Sequence, residues 1–271
     1  MHDPVAVVLT LLRSFPIYRA RRSCPTTLTC TSIWGPPGVR GWSSRSFVRS
    51  LVFNVHRAHT VSLSLLTAAG LILCHPEDFT PVCTTELGEA AKRESQLLER
   101  GVKTVGFSCN DADMHRKWIS DIEALTGGCV QFPIFCDRDR SNAVRLGILD
   151  ERFRDQQYLP RPFRSVYILD PNKLILLTMT YPATTGRNFD EIIRVIDSLQ
   201  LTVNMRVATP VNWAPGKDVI VDHPLTDEQA ADIFGKSGFQ IQEAPSERGR
   251  ELPRHYMRWT KDPCEFPPEG N

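Results

Sequence analysis

The sequence predicts an α/β protein, a mixed β-sheet with helices packed on its faces. Three observations predict it. Short apolar runs alternate with amphipathic stretches between residues 70 and 150. Two further strand-like runs flank an Asp170-Pro171-Asn172 turn, and a strongly periodic helix over residues 188–199 closes the series.

The elements follow in order. Residues 70–74, Gly-Leu-Ile-Leu-Cys, form an apolar run that stops at His75-Pro76 and fits a buried strand. Thr80 then supplies an N-cap and Pro81 the first helical position. That helix is expected to continue through Leu87, Ala90, Ala91, Leu97 and Leu98 to Gly101, which can close it. Residues 102–108 are the next strand. Residues 111–125 form an amphipathic helix with Met114, Trp118, Ile122 and Leu125 on one face. A short strand over 132–136 and a short helix over 142–149 come next. Strands over 164–169 and 174–180 make a hairpin. The helix over 188–199 turns Phe189, Ile192, Ile193, Ile196 and Leu199 inward. After Thr209-Pro210 proline and glycine become frequent, and only residues 227–234 read as helix and 255–260 as strand. The expected division is an extension over 1–66, a main domain over 67–205, and a smaller C-terminal domain or arm over 206–271.

Charge separates the extension from the rest. Residues 1–76 hold eight arginines, no lysine and one acid, a net +7, while residues 77–271 hold 24 basic and 30 acidic residues, a net −6. The first 60 residues show no sustained period and are rich in Arg and Ser. Three readings stay open for them: a mitochondrial transit segment, a disordered extension, or a wrongly joined N-terminus. The whole-chain charge of +1 gives no electrostatic reason to expect nucleic acid or a membrane surface as partner. The longest apolar run, 61–73, is too short for a bilayer, which needs about 20 residues. The run over 4–12 follows Asp3 where a secretory signal would carry positive charge, so secretion is not expected.

Cysteines stand at 24, 30, 74, 83, 109, 129, 136 and 264, with no C-x-x-C and no Cys/His cluster at zinc-ligand spacing. No metal is expected. Scattered cysteines in a chain this long read as free thiols of a reducing compartment, hence a cytoplasmic protein, or a mitochondrial one if residues 1–60 direct it there. Cys74 and Cys136 lie inside apolar runs and read as small buried apolar residues. Cys83 is different. Three residues past Thr80, it falls in the first turn of its helix, where unpaired backbone N–H groups and the helix dipole favour an anionic sulfur, the reactive form of a thiol. Glu86, one turn on, opposes this unless a cation neutralises it.

The string His75-Pro76-Glu77-Asp78-Phe79-Thr80-Pro81-Val82-Cys83-Thr84-Thr85-Glu86-Leu87 contains Pro-x-x-x-Thr-x-x-Cys and resembles the active-site motif of the peroxiredoxins. Tyr181-Pro182-Ala183-Thr184-Thr185-Gly186-Arg187-Asn188-Phe189-Asp190-Glu191 and Val207-Ala208-Thr209-Pro210-Val211-Asn212-Trp213 are similar to the one-cysteine branch, peroxiredoxin subfamily six. The resemblance covers about residues 70–260. It implies a thioredoxin-like fold with a small C-terminal domain, and a thiol-dependent peroxidase in antioxidant defence. By the same resemblance Cys83 attacks the peroxide and becomes a sulfenic acid, Pro76 shields it, Thr80 orients thiolate and peroxide, and Arg164 stabilises the charge. Glu86 and Arg187 would hold Arg164, and His75 would stand near the pocket. The resemblance further implies no cofactor, an external thiol such as glutathione as reductant, peroxides as substrates, and a homodimer.

Departures accompany the match. The comparable place of a resolving cysteine reads Val211-Asn212-Trp213-Ala214-Pro215, without one, and Cys264 reads as incidental. The phospholipase residues of some relatives would fall on Ser62, Ala68 and Asn172, so no lipase activity is expected. Residues 1–66 do not resemble the family's opening hairpin and strands. The rival reading is therefore a catalytically impaired binding or oligomerising module. A C-x-x-C disulfide reductase is disfavoured because Glu86 occupies the second cysteine's place.

Overall fold

The computed structural model describes residues 69–155, 157–246 and 255–264. The extension, Cys24, Cys30, Ser62 and Ala68 lie outside the described residues. The chain divides at Phe189/Asp190 into a larger and a smaller unit. The division therefore falls at the head of the helix expected to close the main domain, not at 205/206.

In the larger unit, β1 (Ala69–Cys74) is followed by α1 (Pro81–Lys92), α2 (Glu94–Glu99), β2 (Val102–Ser108), α3 (Ala112–Thr126) and β3 (Ile134–Cys136). The helix after Cys83 is thus two pieces, interrupted at Arg93, and Gly101 ends the second with φ of 67°. Next come α4 (Ser141–Leu146), β4 (Leu149–Arg154), β5 (Pro160–Pro162), β6 (Arg164–Leu169) and β7 (Ile175–Tyr181). The five-stranded sheet has the order β3-β2-β1-β6-β7. Strands β1, β2 and β3 are mutually parallel, and β6 runs antiparallel to β1 and β7, which makes the sheet mixed. The fold class expected from the sequence is the one found.

One sheet face buries Ile72, Cys74, Val105, Phe107, Phe135, Tyr167 and Leu169 with Ala143 and Ile148. The period-2 alternation of β1 and β2 sets this face. Helix α3 buries His115, Trp118, Ile119 and Ile122, spaced i, i+3, i+4, i+7. Leu125, expected inward, is 76% exposed, because it lies one turn past the buried stripe. At that end α1 comes so close that a Cβ on Gly88 would collide with the Thr126 side chain. β4 and β5 pair as a separate antiparallel ribbon, built from the charged run Leu-Asp-Glu-Arg-Phe-Arg that carries no apolar alternation.

The smaller unit holds α5 (Phe189–Met205), β8 (Val207–Ala208), β9 (Val219–Val221), α6 (Asp227–Phe234), β10 (Phe239–Ile241) and β11 (Arg258–Thr260). Helix α5 runs past residue 199 because no glycine or proline stops it, and Leu199 itself is only half-buried. The strands form an antiparallel sheet of order β10-β11-β9-β8. Leu201, Val207, Trp213, Val219, Val221, Leu225, Ala230 and Phe234 make its core. Arg258 is fully buried; its Nη1 donates to Asp227 Oδ1 and its Nη2 to the Leu225 carbonyl, each at 2.8 Å. Thr226 and Gln229 cap α6 reciprocally.

Candidate active site

The C-terminal ends of β1, β2 and β3 lie along one edge of the sheet, and the loops leaving them carry the chemistry. After β1, residues 75–80 turn back into α1. Phe79 adopts a left-handed backbone, φ of 54°, a conformation that costs an aromatic residue about 1–3 kcal/mol and is held here by its surroundings. Thr80 is the N-cap with extended backbone, but its side chain does not cap. Its hydroxyl donates to the Glu77 carbonyl at 2.9 Å. With its one proton so used, Thr80 Oγ1 faces any incoming peroxide only as an acceptor. Pro76 is buried in the same loop.

Cys83 is fully buried in the first turn of α1. Arg164, opening β6, reaches it: Nη1 lies 3.2 Å from Cys83 Sγ. The same nitrogen donates to Glu86 Oε2 at 2.7 Å, while Nε and Nη2 both donate to the Ala183 carbonyl at 2.9 and 2.6 Å. Glu86 in turn accepts from Arg187 through Nε at 3.0 Å, Nη2 at 2.8 Å and the backbone N–H at 2.8 Å. Arg187 Nη1 closes the frame on the Cys74 carbonyl at 2.9 Å. Burial would raise the Glu86 carboxyl, but Arg187 and Arg164 outweigh it and hold it below the usual carboxylate range. The anion that threatened the thiolate at the level of sequence is thus doubly neutralised. Counting charges, two guanidiniums against one carboxylate leave +1 around a protonated sulfur and zero around an ionised one.

A second network braces the loop. The Asp78 carboxylate is shared by two imidazoles, His75 Nε2 at 2.9 Å and His115 Nδ1 at 2.6 Å, all three side chains buried. Burial depresses His75 further than Asp78 can restore, so it stays neutral, whereas burial on His115 is outweighed by Asp78 and Cys136, which lift it to about 9. Asp78 is pushed up by burial but held low overall by the two histidines. Trp118 donates from Nε1 to Thr84 Oγ1 at 3.0 Å, and that hydroxyl donates to the Thr80 carbonyl at 2.8 Å. Helix α3 therefore grips both the loop and the first turn of α1. Among the described residues, His75, Asp78 and His115 are the trio with the donor set of a metal centre. Each carboxylate oxygen already has one imidazole at hydrogen-bond distance, so protons fill the role a metal would, and no metal function is assigned to the trio.

Of the residues singled out by sequence, Cys83, Glu86, Arg164 and Arg187 meet in one hydrogen-bonded cluster. Thr80 and Pro76 lie on the loop that delivers Cys83. His75 bonds to Asp78 rather than joining that cluster. Sequence reasoning missed Asp78, His115, Trp118 and the Ala183 carbonyl. Asp78 stood inside the motif itself; His115 lies 37 positions away in an ordinary helix and carried no signal. Asn172, the position compared with a lipase aspartate, sits in the β6–β7 turn, bonded to Asp170.

Comparison with known proteins agrees with this geometry. Residues 50–177 match the AhpC/TSA family, and residues 198–236 match the C-terminal domain of 1-Cys peroxiredoxin. The first match begins ahead of the resemblance read from the motifs, which starts near residue 70. Peroxiredoxin-6 of Gallus gallus is 46% identical over 200 residues, covering 72% of this chain and 85% of that protein. The crystal structure of a cysteine-to-serine mutant of Peroxiredoxin 6 of Arenicola marina superposes with a TM-score of 0.69 at 40% identity, over 74% of this chain and 89% of that one. A yeast mitochondrial 1-Cys peroxiredoxin, whose thiol is resolved via glutathione/thioredoxin systems, gives 0.62 at 38% identity, over 73% and 89%.

Proposed function

The chain belongs to the peroxiredoxin family, and we propose from this that it reduces hydrogen peroxide and organic hydroperoxides at Cys83 by a one-cysteine mechanism. The observation that carries the reading is Arg164 Nη1 at 3.2 Å from a sulfur seated at the head of a helix. The sulfur attacks one peroxide oxygen and the O–O bond breaks. The departing hydroxide or alkoxide leaves beside the Arg164 guanidinium and takes a proton from water, and Cys83 is left as a sulfenic acid. Glu86 and Arg187 keep the guanidinium in place, Thr80 accepts a hydrogen bond from the peroxide, and Pro76 keeps water off the sulfur.

No resolving cysteine occupies residues 211–215, so an external thiol reduces the sulfenic acid, first as a mixed disulfide with loss of water and then by a second thiol. Glutathione is the reductant proposed, in line with the yeast relative. A homodimer is proposed through β7, one of the two outer strands of the five-stranded sheet. The proposed compartment is the cytoplasm, or mitochondria if the N-terminal segment directs it there. The six described cysteines are all free, which suits a reducing compartment.

The test is peroxide consumption with glutathione or dithiothreitol, wild type against Cys83→Ser, with the mass of each cysteine followed. Turnover by the wild type alone, with one oxygen added at Cys83, is expected. A wild type no faster than Cys83→Ser would leave only a binding or oligomerising module.

A further inference from the structure

Two contacts join the same two stretches of chain around the sulfur. Arg164 meets Cys83 at 3.2 Å, and a second arginine, Arg161, meets Glu77, with Nη2 2.7 Å from Glu77 Oε2. Glu77 opens the turn that leads to Thr80 and Cys83, and Arg161 stands just ahead of Arg164 in the chain. The chemistry at Cys83 uses only the first contact directly.

Both ends of the second contact are built into ordered backbone. Arg161 is the middle residue of β5 and pairs with Asp150 of β4. Phe163 alone separates β5 from β6, and its N–H donates to the Ile148 carbonyl at 2.7 Å. On the other side, the Glu77 carbonyl accepts the Thr80 hydroxyl at 2.9 Å, and the Thr80 carbonyl accepts the Thr84 N–H at 3.0 Å. A shift of Glu77 is thus passed to Thr80 and to the first turn of α1. Between them stands Phe79, whose left-handed backbone needs its surroundings to hold it. Asn110 and His115 hold this loop at Asp78; Arg161 holds it at Glu77. An exposed ion pair would contribute little. This one is shielded, the Arg161 and Glu77 side chains being 26% and 19% exposed. Arg161 Nε is buried without a hydrogen-bond partner, so it gives the guanidinium no second anchor. Burial pushes the Glu77 carboxyl up, and Arg161 is the cation that counters it.

We propose that Arg161 is a positioning residue of the peroxidase site, acting through Glu77 to hold the loop over residues 75–80, and with it Thr80 and Cys83, in place against Arg164. The proposal rests on the reading of Cys83 as the reacting sulfur. With the pair formed, a peroxide meets the sulfur, the Thr80 oxygen and the Arg164 guanidinium at fixed separations, the condition under which orientation speeds a bimolecular attack. With Arg161 removed, a largely buried carboxylate loses its counter-ion and turns towards water, Phe79 relaxes from its left-handed backbone, and Thr80 leaves its place beside Cys83.

The experiment is single-turnover oxidation of the full-length protein, by rapid mixing with hydrogen peroxide, quenching and the mass of the Cys83 peptide, with denaturant unfolding alongside. Arg161→Met and Glu77→Gln are each expected to slow oxidation about tenfold, short of the roughly hundredfold that a 1 Å misplacement can cost. The double variant Glu77→Gln/Arg161→Met should be no slower than either single one, because a single pair is lost once. Arg161→Lys, which keeps the charge, should lie closer to wild type than to Arg161→Met. A merely structural brace would lower the unfolding midpoint without this pattern of rates. Single variants as fast as wild type, or a double variant in which the two losses multiply, overturn the positioning role and leave the peroxidase reading intact. A wild type that is not oxidised at Cys83 overturns that reading, and this one with it. If Arg161→Met does not fold, the Glu77→Gln rate decides alone.

Discussion

Replacing Arg164 by Met removes the cation beside Cys83 while keeping a side chain of similar reach. At 3.2 Å, two unit charges attract by about 5 kcal/mol at an effective dielectric of about 20 and by about 1 kcal/mol in bulk water. The sulfur is fully buried, so the larger figure sets the ceiling; water entering the space vacated by the guanidinium brings the loss below it. About 3–4 kcal/mol, hence two to three orders of magnitude in the second-order rate with hydrogen peroxide, is the expected outcome. Stability should suffer less. Glu86 keeps its paired bonds to Arg187, and the Ala183 carbonyl left without donors costs about 1–3 kcal/mol. Single-turnover oxidation followed by rapid mixing gives the rate, and denaturant unfolding checks the fold. Arg164→Lys separates charge from geometry: it keeps the charge but cannot serve Cys83, Glu86 and Ala183 together, and should fall between wild type and Arg164→Met. An Arg164→Met protein oxidised at Cys83 within threefold of the wild-type rate would refute the electrostatic argument.

Other outcomes follow from the same contacts. Glu86→Gln leaves two buried guanidiniums facing a neutral amide and should cost about 3–5 kcal/mol of unfolding free energy, read from the denaturant midpoint. Because the folded Glu86 lies below its ordinary 4.5, its contribution is present above that value and lost on acidification; the variant should show a shallower acid slope. His115 has the opposite sign: raised from 6.5 to about 9, it gives its full stabilisation below 6.5 and loses it as pH rises through about 9. The loss is about 3 kcal/mol over that window at about 1.4 kcal/mol per unit, and His115→Gln should flatten the profile. Gly88→Ala drives a methyl into Thr126 and should destabilise by about 1–3 kcal/mol without altering the peroxide rate of the folded protein, measured by thermal unfolding alongside turnover.

The larger unit was legible wherever the signal was local. β1, β2 and β6 are compact apolar runs bounded by turns, and Asp170-Pro171-Asn172 announced the hairpin. The break at Arg93 was not legible, since the residues on both sides favour helix. Leu125 was misplaced because periodicity gives spacing without saying where the neighbouring element ends. β4 carries no apolar alternation and β5 is only three residues, two of them proline, so no strand pattern marked either. In the site, Cys83 and Thr80 were readable from helix-start chemistry, but Arg164 and Arg187 read as surface charges until the family motif was noticed. The Asp78–His115 bond spans two elements and rests on tertiary packing, which no local pattern encodes.

The charge count around Cys83 has a consequence for the whole cycle. A sulfenic acid carries no charge, so oxidation of an ionised sulfur would take the cluster from neutral to singly cationic. An uncharged substrate would thus meet an electrically silent pocket, and the spent enzyme would present a positive one, suited to draw in an anionic thiolate. Alternation of this kind would let a single cavity receive two chemically different reactants in turn, with no moving part beyond the sulfur's own oxidation state.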